Sequence, residues 1–211
     1  MDGSHDLEGA EQFWEQRYRL SERTWSGRVN ARLPEVAAEL PVGRALDLGC
    51  GEGADAVWLA EHGWQVVAVD VSATALERGN EAAAGRNLLD RIDFQRHDLN
   101  ETFPDGTFDL ISAQYLHSPA RLDRETVLRR AADHVAPGGV LLIVDHAAAP
   151  PWARQHLHSF PSIDDVIAPL GLDFTTWTRV RAEILERETA GPDGQPATLT
   201  DNVILLRRGG A

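Results

Sequence analysis

Short apolar runs, each closed by a loop, recur from residue 44 onward. RALDLG (44–49), QVVAVD (65–70), RIDFQRHD (91–98), TFDLISAQ (107–114) and GVLLIVDH (139–146) each have the length and flanks of a strand. Val66, Val67 and Val69 stand in one run, as in a strand covered on both faces. Helical spacing fills the gaps. Residues 54–62 group Ala54, Val57, Trp58, Leu59 and Ala60, and residues 72–85 are rich in alanine and open at Ser72, a plausible N-cap. Residues 122–136 carry Leu128, Ala131, Ala132 and Val135. In 162–171, Ser162 and Asp165 form a capping-box pattern, Ile163, Val166, Ile167 and Leu170 share a face, and Gly171 ends the turn. Alternating strand and helix implies crossover connections and a parallel sheet with helices on both faces. The C-terminal part differs. Residues 174–186 set Val180, Ala182 and Ile184 against Arg179, Arg181 and Glu183, 190–197 is dense in turn residues, and 200–208 reads as a further strand. Two strands joined in this way are most simply antiparallel. The expected architecture is α/β and doubly wound, a seven-stranded, mostly parallel sheet ending in an antiparallel hairpin. Residues 1–40 predict a helix bearing Phe13, Trp14 and Tyr18, the stretch RTWSGRVN, and a short helix with Leu33, Val36, Ala37 and Leu40. They read as a helical lid segment ahead of the main unit, 41–211, within one compact domain.

The chemistry concentrates at ALDLGCGEGA (45–54), where Gly49, Gly51 and Gly53 follow Asp47. A glycine turn that opens a helix ordinarily cradles phosphate, and a carboxylate beside it opposes that. In a doubly wound sheet, ligands sit beyond the carboxyl ends of the strands. Asp47 lies near the end of the first expected strand. Asp70 ends the second, where an acid accepts hydrogen bonds from ribose hydroxyls. Asp98 ends the third, with Leu99 after it, a place for an adenine amine and ring. A nucleoside with a cationic, non-phosphate end satisfies all three, and S-adenosylmethionine is such a molecule.

Composition narrows the partners. The 211 residues carry a net charge of −13, which disfavours nucleic acid and anionic membrane surfaces because both need clustered Lys and Arg. The single cysteine, Cys50, excludes an internal disulfide and fits a reducing cytoplasm. The polar, acidic start MDGSHDLEGA is not a signal peptide, and no apolar run has the length of a membrane helix. The expectation is a cytoplasmic protein acting on a small molecule.

ALDLGCGEG, VVAVDVS, RHDLN, FDLISAQ and APGGVLLIV, in this order, resemble the class I S-adenosylmethionine-dependent methyltransferases, over roughly residues 40–150. The resemblance implies a Rossmann-like fold whose final strand is antiparallel. It puts the methionine part of the donor on Asp47, Gly49 and Gly51, the ribose on Asp70, and the adenine on Val71, Asp98 and Leu99. Gln114 then lies near the methyl end. FWEQRY and TWSGRVN are more weakly similar to tellurite-resistance and thiopurine-type methyltransferases, in which an N-terminal segment folds over the cofactor; Trp25 and Asn30 are candidates to close over it here. Gly49, Gly51 and Ala54 also satisfy a looser dinucleotide fingerprint, so a nicotinamide or flavin oxidoreductase stays open as an alternative, as does a binding protein without catalysis.

Candidate catalytic residues follow the fourth and fifth strands: Tyr115, His117 and His146, each able to orient an acceptor or take its proton. His146, His156 and His158 beside Asp145 raise the question of a metal, but the spacing is irregular and a fourth ligand unclear, so no metal is expected. Cys50 is expected to be a small residue required by a tight turn, not a nucleophile.

Overall fold

The computed structural model describes residues 9–149, 152, 160–191 and 194–210. Its elements are α1 (Ala10–Arg19), α2 (Arg32–Ala37), β1 (Arg44–Leu48), α3 (Ala54–Glu61), β2 (Gln65–Asp70), α4 (Ala73–Ala84), β3 (Ile92–Arg96), β4 (Phe108–Gln114), α5 (Arg124–Asp133), β5 (Val135–His146), α6 (Ile163–Ile167), β6 (Trp177–Ala190) and β7 (Pro196–Arg208). The seven strands form one sheet in the order β3-β2-β1-β4-β5-β7-β6. The first five pair in parallel, and β7 runs antiparallel to both β5 and β6. The expected architecture, final antiparallel strand included, is therefore present.

Both faces of the sheet are covered, and side-chain alternation divides each strand between two cores. Leu46, Leu48, Ile111, Leu141, Ile143, Ile204 and Leu206 pack on the α5/α6 face. Ala45, Leu110, Val140, Leu142, Val144, Val203 and Leu205 pack on the face that holds α2 and α3. This is why the central strands read as unbroken apolar runs. Connections from β1 run outward to β2 and β3, and β4 opens the other half, so the strand order reverses between β1 and β4. A crevice at the carboxyl ends of those strands follows from that reversal.

Helix starts behave as the sequence indicates. Ser72 caps α4 by accepting from the Ala75 amide (3.2 Å), and Ser162 and Asp165 make the full capping box of α6. One strand end differs from expectation. β3 stops at Arg96, so Asp98 lies in the turn beyond it, where its Oδ1 accepts from the amide and side chain of Asn100 (3.0 and 2.8 Å). Gln114 is the last residue of β4, as the run TFDLISAQ indicates. In the edge strand β6, a bulge between Arg179 and Arg181 changes the register, and Val180 and Ile184 are 44% and 61% exposed. The half-buried face of the strand carries Arg181, Leu185 and Arg187.

The N-terminal segment is tied to the sheet by charge. Glu15 of α1 accepts from the Ser72 and Thr74 hydroxyls (2.7 and 2.6 Å) and from the Thr74 amide, at the start of α4. Burial works against its charge, yet the hydrogen bonds from Thr74 and Ser72, with Arg19, hold its pKa at about 2. Arg78 of α4 donates to the carbonyls of Tyr18 and Ser21 and to Glu52 (2.9, 2.6 and 2.8 Å). Because the folded pKa of Glu15 is depressed, its contribution is complete above the ordinary glutamate pKa and is lost as pH falls toward 2. Glu15→Gln is expected to raise amide hydrogen exchange across Ala10–Arg19 about fivefold, the equivalent of ~1 kcal/mol for a weakened cap. Exchange in β1 and β4 should stay unchanged.

Candidate functional site

A cavity of about 660 Å³ lies at the carboxyl ends of β1, β2, β4 and β5. It brings together every site residue expected from sequence: Trp25, Asp47, Gly49, Gly51, Asp70, Val71, Asp98, Leu99, Gln114, Tyr115, His117 and His146. His156 and His158 lie outside the described residues. Among the described residues no group of three or more His, Cys, Asp or Glu is arranged to hold a metal ion.

One end of the cavity is built on the turn after β1. Gly49 and Gly51 have φ of +68° and +54°, a region disfavoured for side chains. A Cβ on Gly49 would come within 2.7 Å of Leu116 Cδ1, and one on Gly51 within 2.9 Å of the Tyr18 hydroxyl. The turn thus needs glycine twice, for conformation and for space. Asp70 holds it in place: one carboxylate oxygen accepts from the Gly51 amide and the other from the Ser72 amide, both at 2.9 Å. Cys50 is partly buried in this turn, and burial together with Asp70 and Asp47 pushes its thiol well above the usual range. It stays a neutral thiol, in keeping with a spacer.

Asp47 is 2% exposed, and its Oδ2 has no hydrogen-bond partner among the described residues. Burial first, then the charges of Asp55 and Asp70, push its pKa well above the carboxylate range, against one backbone bond from Ala56. Asp55 and Asp70 are raised as well, chiefly by burial. Asp55 is held by Asn30, whose backbone amide and side-chain Nδ2 donate at 2.7 and 2.8 Å. Three buried carboxylates beside one turn make a place for a cation. Asp55 escaped the sequence reading because an acid in the first turn of a helix is ordinary there.

The other end is lined by histidines backed by buried carboxylates. His117 Nε2 lies 3.1 Å from Oδ1 of Asp145, which is fully buried and also bound by Arg124 (2.7 and 2.5 Å). His146 Nδ1 lies 3.4 Å from Oδ1 of Asp201, also fully buried, whose Oδ2 accepts from Arg187 Nε at 2.7 Å. The Tyr115 ring lies over the His146 ring, with centroids 4.5 Å apart. Burial and Asp201 push the Tyr115 hydroxyl up, with Arg187 opposing, so it remains a protonated donor. Asp201, Arg187 and Arg124 were not picked out from sequence. Asp201 faces His146 only through the pairing of β5 with β7, which no local pattern reveals.

Aromatic side chains cover the cavity from the N-terminal segment. Trp25 Nε1 donates to the Tyr18 hydroxyl (2.8 Å), and Trp14 Nε1 donates to Ser118 Oγ (2.9 Å), joining α1 to the loop after β4. The amides of Thr24 and Trp25 donate to Glu52 on the glycine turn.

Residues 45–139 match the family model described as a methyltransferase domain. The chain is 34% identical over 154 residues to the 2-heptyl-1-hydroxyquinolin-4(1H)-one methyltransferase of Mycobacteroides abscessus, covering 68% of this chain and 66% of that protein. It is 37% identical over 112 residues to the ribosomal RNA small subunit methyltransferase C of Alcanivorax borkumensis, covering 51% of this chain and 34% of that protein. The chain thus spans between about a third and two thirds of these relatives. Its fold matches the N-methyltransferase NodS from Bradyrhizobium japonicum, solved with S-adenosyl-L-homocysteine, at a TM-score of 0.65 and 21% identity over 95% of this chain and 99% of that one.

The raised pKa of Asp47 has a sign that can be checked. A carboxyl that holds its proton more tightly when folded stabilises the protein below its unfolded pKa, and that stability is lost as pH rises through the folded value. Asp47→Asn, without ligand, is expected to raise Tm at pH 8 by about 2–4 °C, for a typical single-site effect of ~1 kcal/mol in a chain of this size. It should also flatten the decline of Tm with pH. Thermal unfolding across pH 5–8 measures both.

Proposed function

The chain belongs to the class I S-adenosylmethionine-dependent methyltransferases, and from that premise we propose that it passes a methyl group to a small-molecule acceptor by in-line displacement, with S-adenosylhomocysteine as the other product. The observation that carries the reading is the unpartnered, buried Oδ2 of Asp47 beside the glycine turn. A pyrophosphate would meet three carboxylates there; an ammonium or sulfonium would be held by them. The same observation disfavours a dinucleotide enzyme.

In this reading Asp47, Gly49 and Gly51 hold the methionine part of the donor. Asp70 keeps lone pairs for two ribose hydroxyls while its existing bonds fix the turn. Val71, Asp98 and Leu99 take the adenine; Leu99 is buried and Asp98 has one carboxylate oxygen outside its own turn. Gln114, whose Oε1 is buried and unpartnered among the described residues, faces the methyl end. Tyr115, His117 and His146 line the acceptor side. The donor, when bound, supplies an activated methyl on a cationic sulfur; the protein aligns the acceptor with it and excludes water. Residues 1–40 act as the lid over a domain at 41–211, with Trp25 closing on the donor through its bond to Tyr18.

The relatives act on molecules as different as a hydroxyquinolinone and, by name, ribosomal RNA, so their names do not choose an acceptor. A net charge of −13 and a cavity of about 660 Å³ favour a small molecule over nucleic acid. No helix among the described residues is long and apolar enough to cross a membrane. We place the enzyme in the cytoplasm on its one cysteine and its charge.

Calorimetry tests the donor site. S-adenosylhomocysteine is expected to bind in the micromolar range, about −8 kcal/mol, and NAD not at all. Asp70→Ala should weaken this binding by roughly 2–3 kcal/mol, since hydrogen bonds to a charged group contribute ~1.5–3 kcal/mol each and water replaces them in part. Unchanged affinity in a folded variant would mean the ribose lies elsewhere.

A further inference from the structure

The proposed methyl transfer leaves the acceptor open, and the far end of the cavity bears on it. Resting on that reading, we propose that the acceptor is an aromatic hydroxyl and that His146, oriented by Asp201, is the base that takes its proton.

The first support is the tautomer. Asp201 is fully buried; its Oδ1 makes no hydrogen bond among the described residues, and the carboxylate faces the Tyr115 hydroxyl as well as His146. Its Oδ2 is occupied by Arg187. His146 Nδ1, also buried and without a hydrogen bond of its own, faces Asp201 Oδ1 at 3.4 Å. An Nδ1 lone pair aimed at a carboxylate would be repelled, so the facing pair favours the proton on Nδ1 and leaves Nε2 with a lone pair. Separations of this kind are often loose without substrate and tighten when it binds. Cross-strand pairing of His146 with Asp201 fixes the two backbones opposite each other. Both groups thus sit on the sheet, the more rigid platform, whereas His117 is on the loop after β4 and its side chain is 45% exposed.

The second support is what such a base is needed for. A thiol near neutral pH is already partly ionised and gains little from it, while an aliphatic hydroxyl is too weakly acidic for an imidazole. A phenol-like hydroxyl, near pKa ~10 as in tyrosine, lies between. The third is the wall. Tyr115 and Leu199 give flat and apolar surface, and Arg187 lies beside Tyr115, its guanidinium 5.7 Å from the ring. The carboxylates at this end, Asp145 and Asp201, are fully buried and paired with arginines. A protonated amine would have to compete with those arginines for the carboxylates.

The step balances. Nε2 of His146 takes the hydroxyl proton, and the oxygen's electron pair forms the new O–CH₃ bond. The C–S bond breaks with its pair left on sulfur, and the imidazolium, facing Asp201, returns its proton to solvent.

The test compares 2-naphthol with naphthalene-2-thiol, acceptors that differ only in the attacking atom. The wild-type protein is expected to methylate both. His146→Asn should lower kcat for the naphthol about 100-fold, the low end for a positioned base, with KM and S-adenosylhomocysteine affinity within threefold of wild type and the thiol rate changed less than threefold. Asp201→Asn should lower the naphthol kcat about tenfold, and Asp201→Glu should recover part of it. Equal losses on both acceptors would overturn the base, and so would a loss in His117→Asn but not in His146→Asn. Failure to methylate 2-naphthol while S-adenosylhomocysteine still binds would overturn the acceptor class and leave the donor reading standing; absence of S-adenosylhomocysteine binding would remove both.

Discussion

Asp47 lies at the end of a central strand, 2% exposed, with Asp55 and Asp70 for electrostatic neighbours. A buried carboxylate with an unpartnered oxygen is unfavourable on its own, and much of the surrounding structure is arranged around it. Asp70 is committed to the amides of Gly51 and Ser72, and Asp55 to Asn30. Neither is free to donate to Asp47, and as carboxylates neither could. The glycine turn needs positive φ at Gly49 and Gly51 to bring its backbone past these acids. Folding therefore leaves one buried carboxylate oxygen without a hydrogen-bond partner among the described residues. Local instability of this kind is common where function requires it.

The N-terminal segment depends on the same turn. Glu52, between Gly51 and Gly53, accepts from the amides of Thr24 and Trp25 and pairs with Arg78. Arg78 in turn grips the end of α1 through the carbonyls of Tyr18 and Ser21. N-terminal segment, glycine turn and α4 form one hydrogen-bonded unit. The turn and the segment over it are thus joined by direct contact.

What was legible in the sequence follows the range of the interactions. The doubly wound core could be read because its strands are apolar on both faces and its helices carry local caps, Ser72 and Ser162 among them. The glycine-turn end of the cavity could be read because Asp47, the glycines and Asp70 are spaced by one strand–turn–helix unit. Asp98 was placed one turn off, since the polar stretch RHDLN does not mark where β3 ends. In β6 the alternation of Val180 and Ile184 was visible but not its direction, because the bulge before Arg181 reverses which face looks outward. The backing of the histidines could not be read at all. Asp145 adjoins His146 in sequence but bonds toward His117, whereas Asp201 reaches His146 across an antiparallel pairing.

That last contact gives the antiparallel strand a role beyond closing the sheet. A parallel strand at the β7 position would enter beside β5 at its amino end and carry its own carboxyl end to the cavity, as a loop. An antiparallel β7 instead brings its early residues, Thr200 to Asn202, beside His146 while already in the ladder. Asp201 is thus held by main-chain pairing on both sides, to β5 and to β6, and Arg187 of β6 is set near it by the same hairpin. Tyr115 completes the arrangement at a cost: its φ of +50° is unusual for an aromatic residue, a strain of ~1–3 kcal/mol. The strain is held by its amide donating to the Val144 carbonyl and its carbonyl accepting from His117, both at 2.8 Å. In that conformation the ring lies over His146. A relaxed backbone there would aim the side chain elsewhere and leave one face of the imidazole uncovered, so the strain is best understood as the means by which β4 fixes a side chain that belongs chemically to β5 and β7.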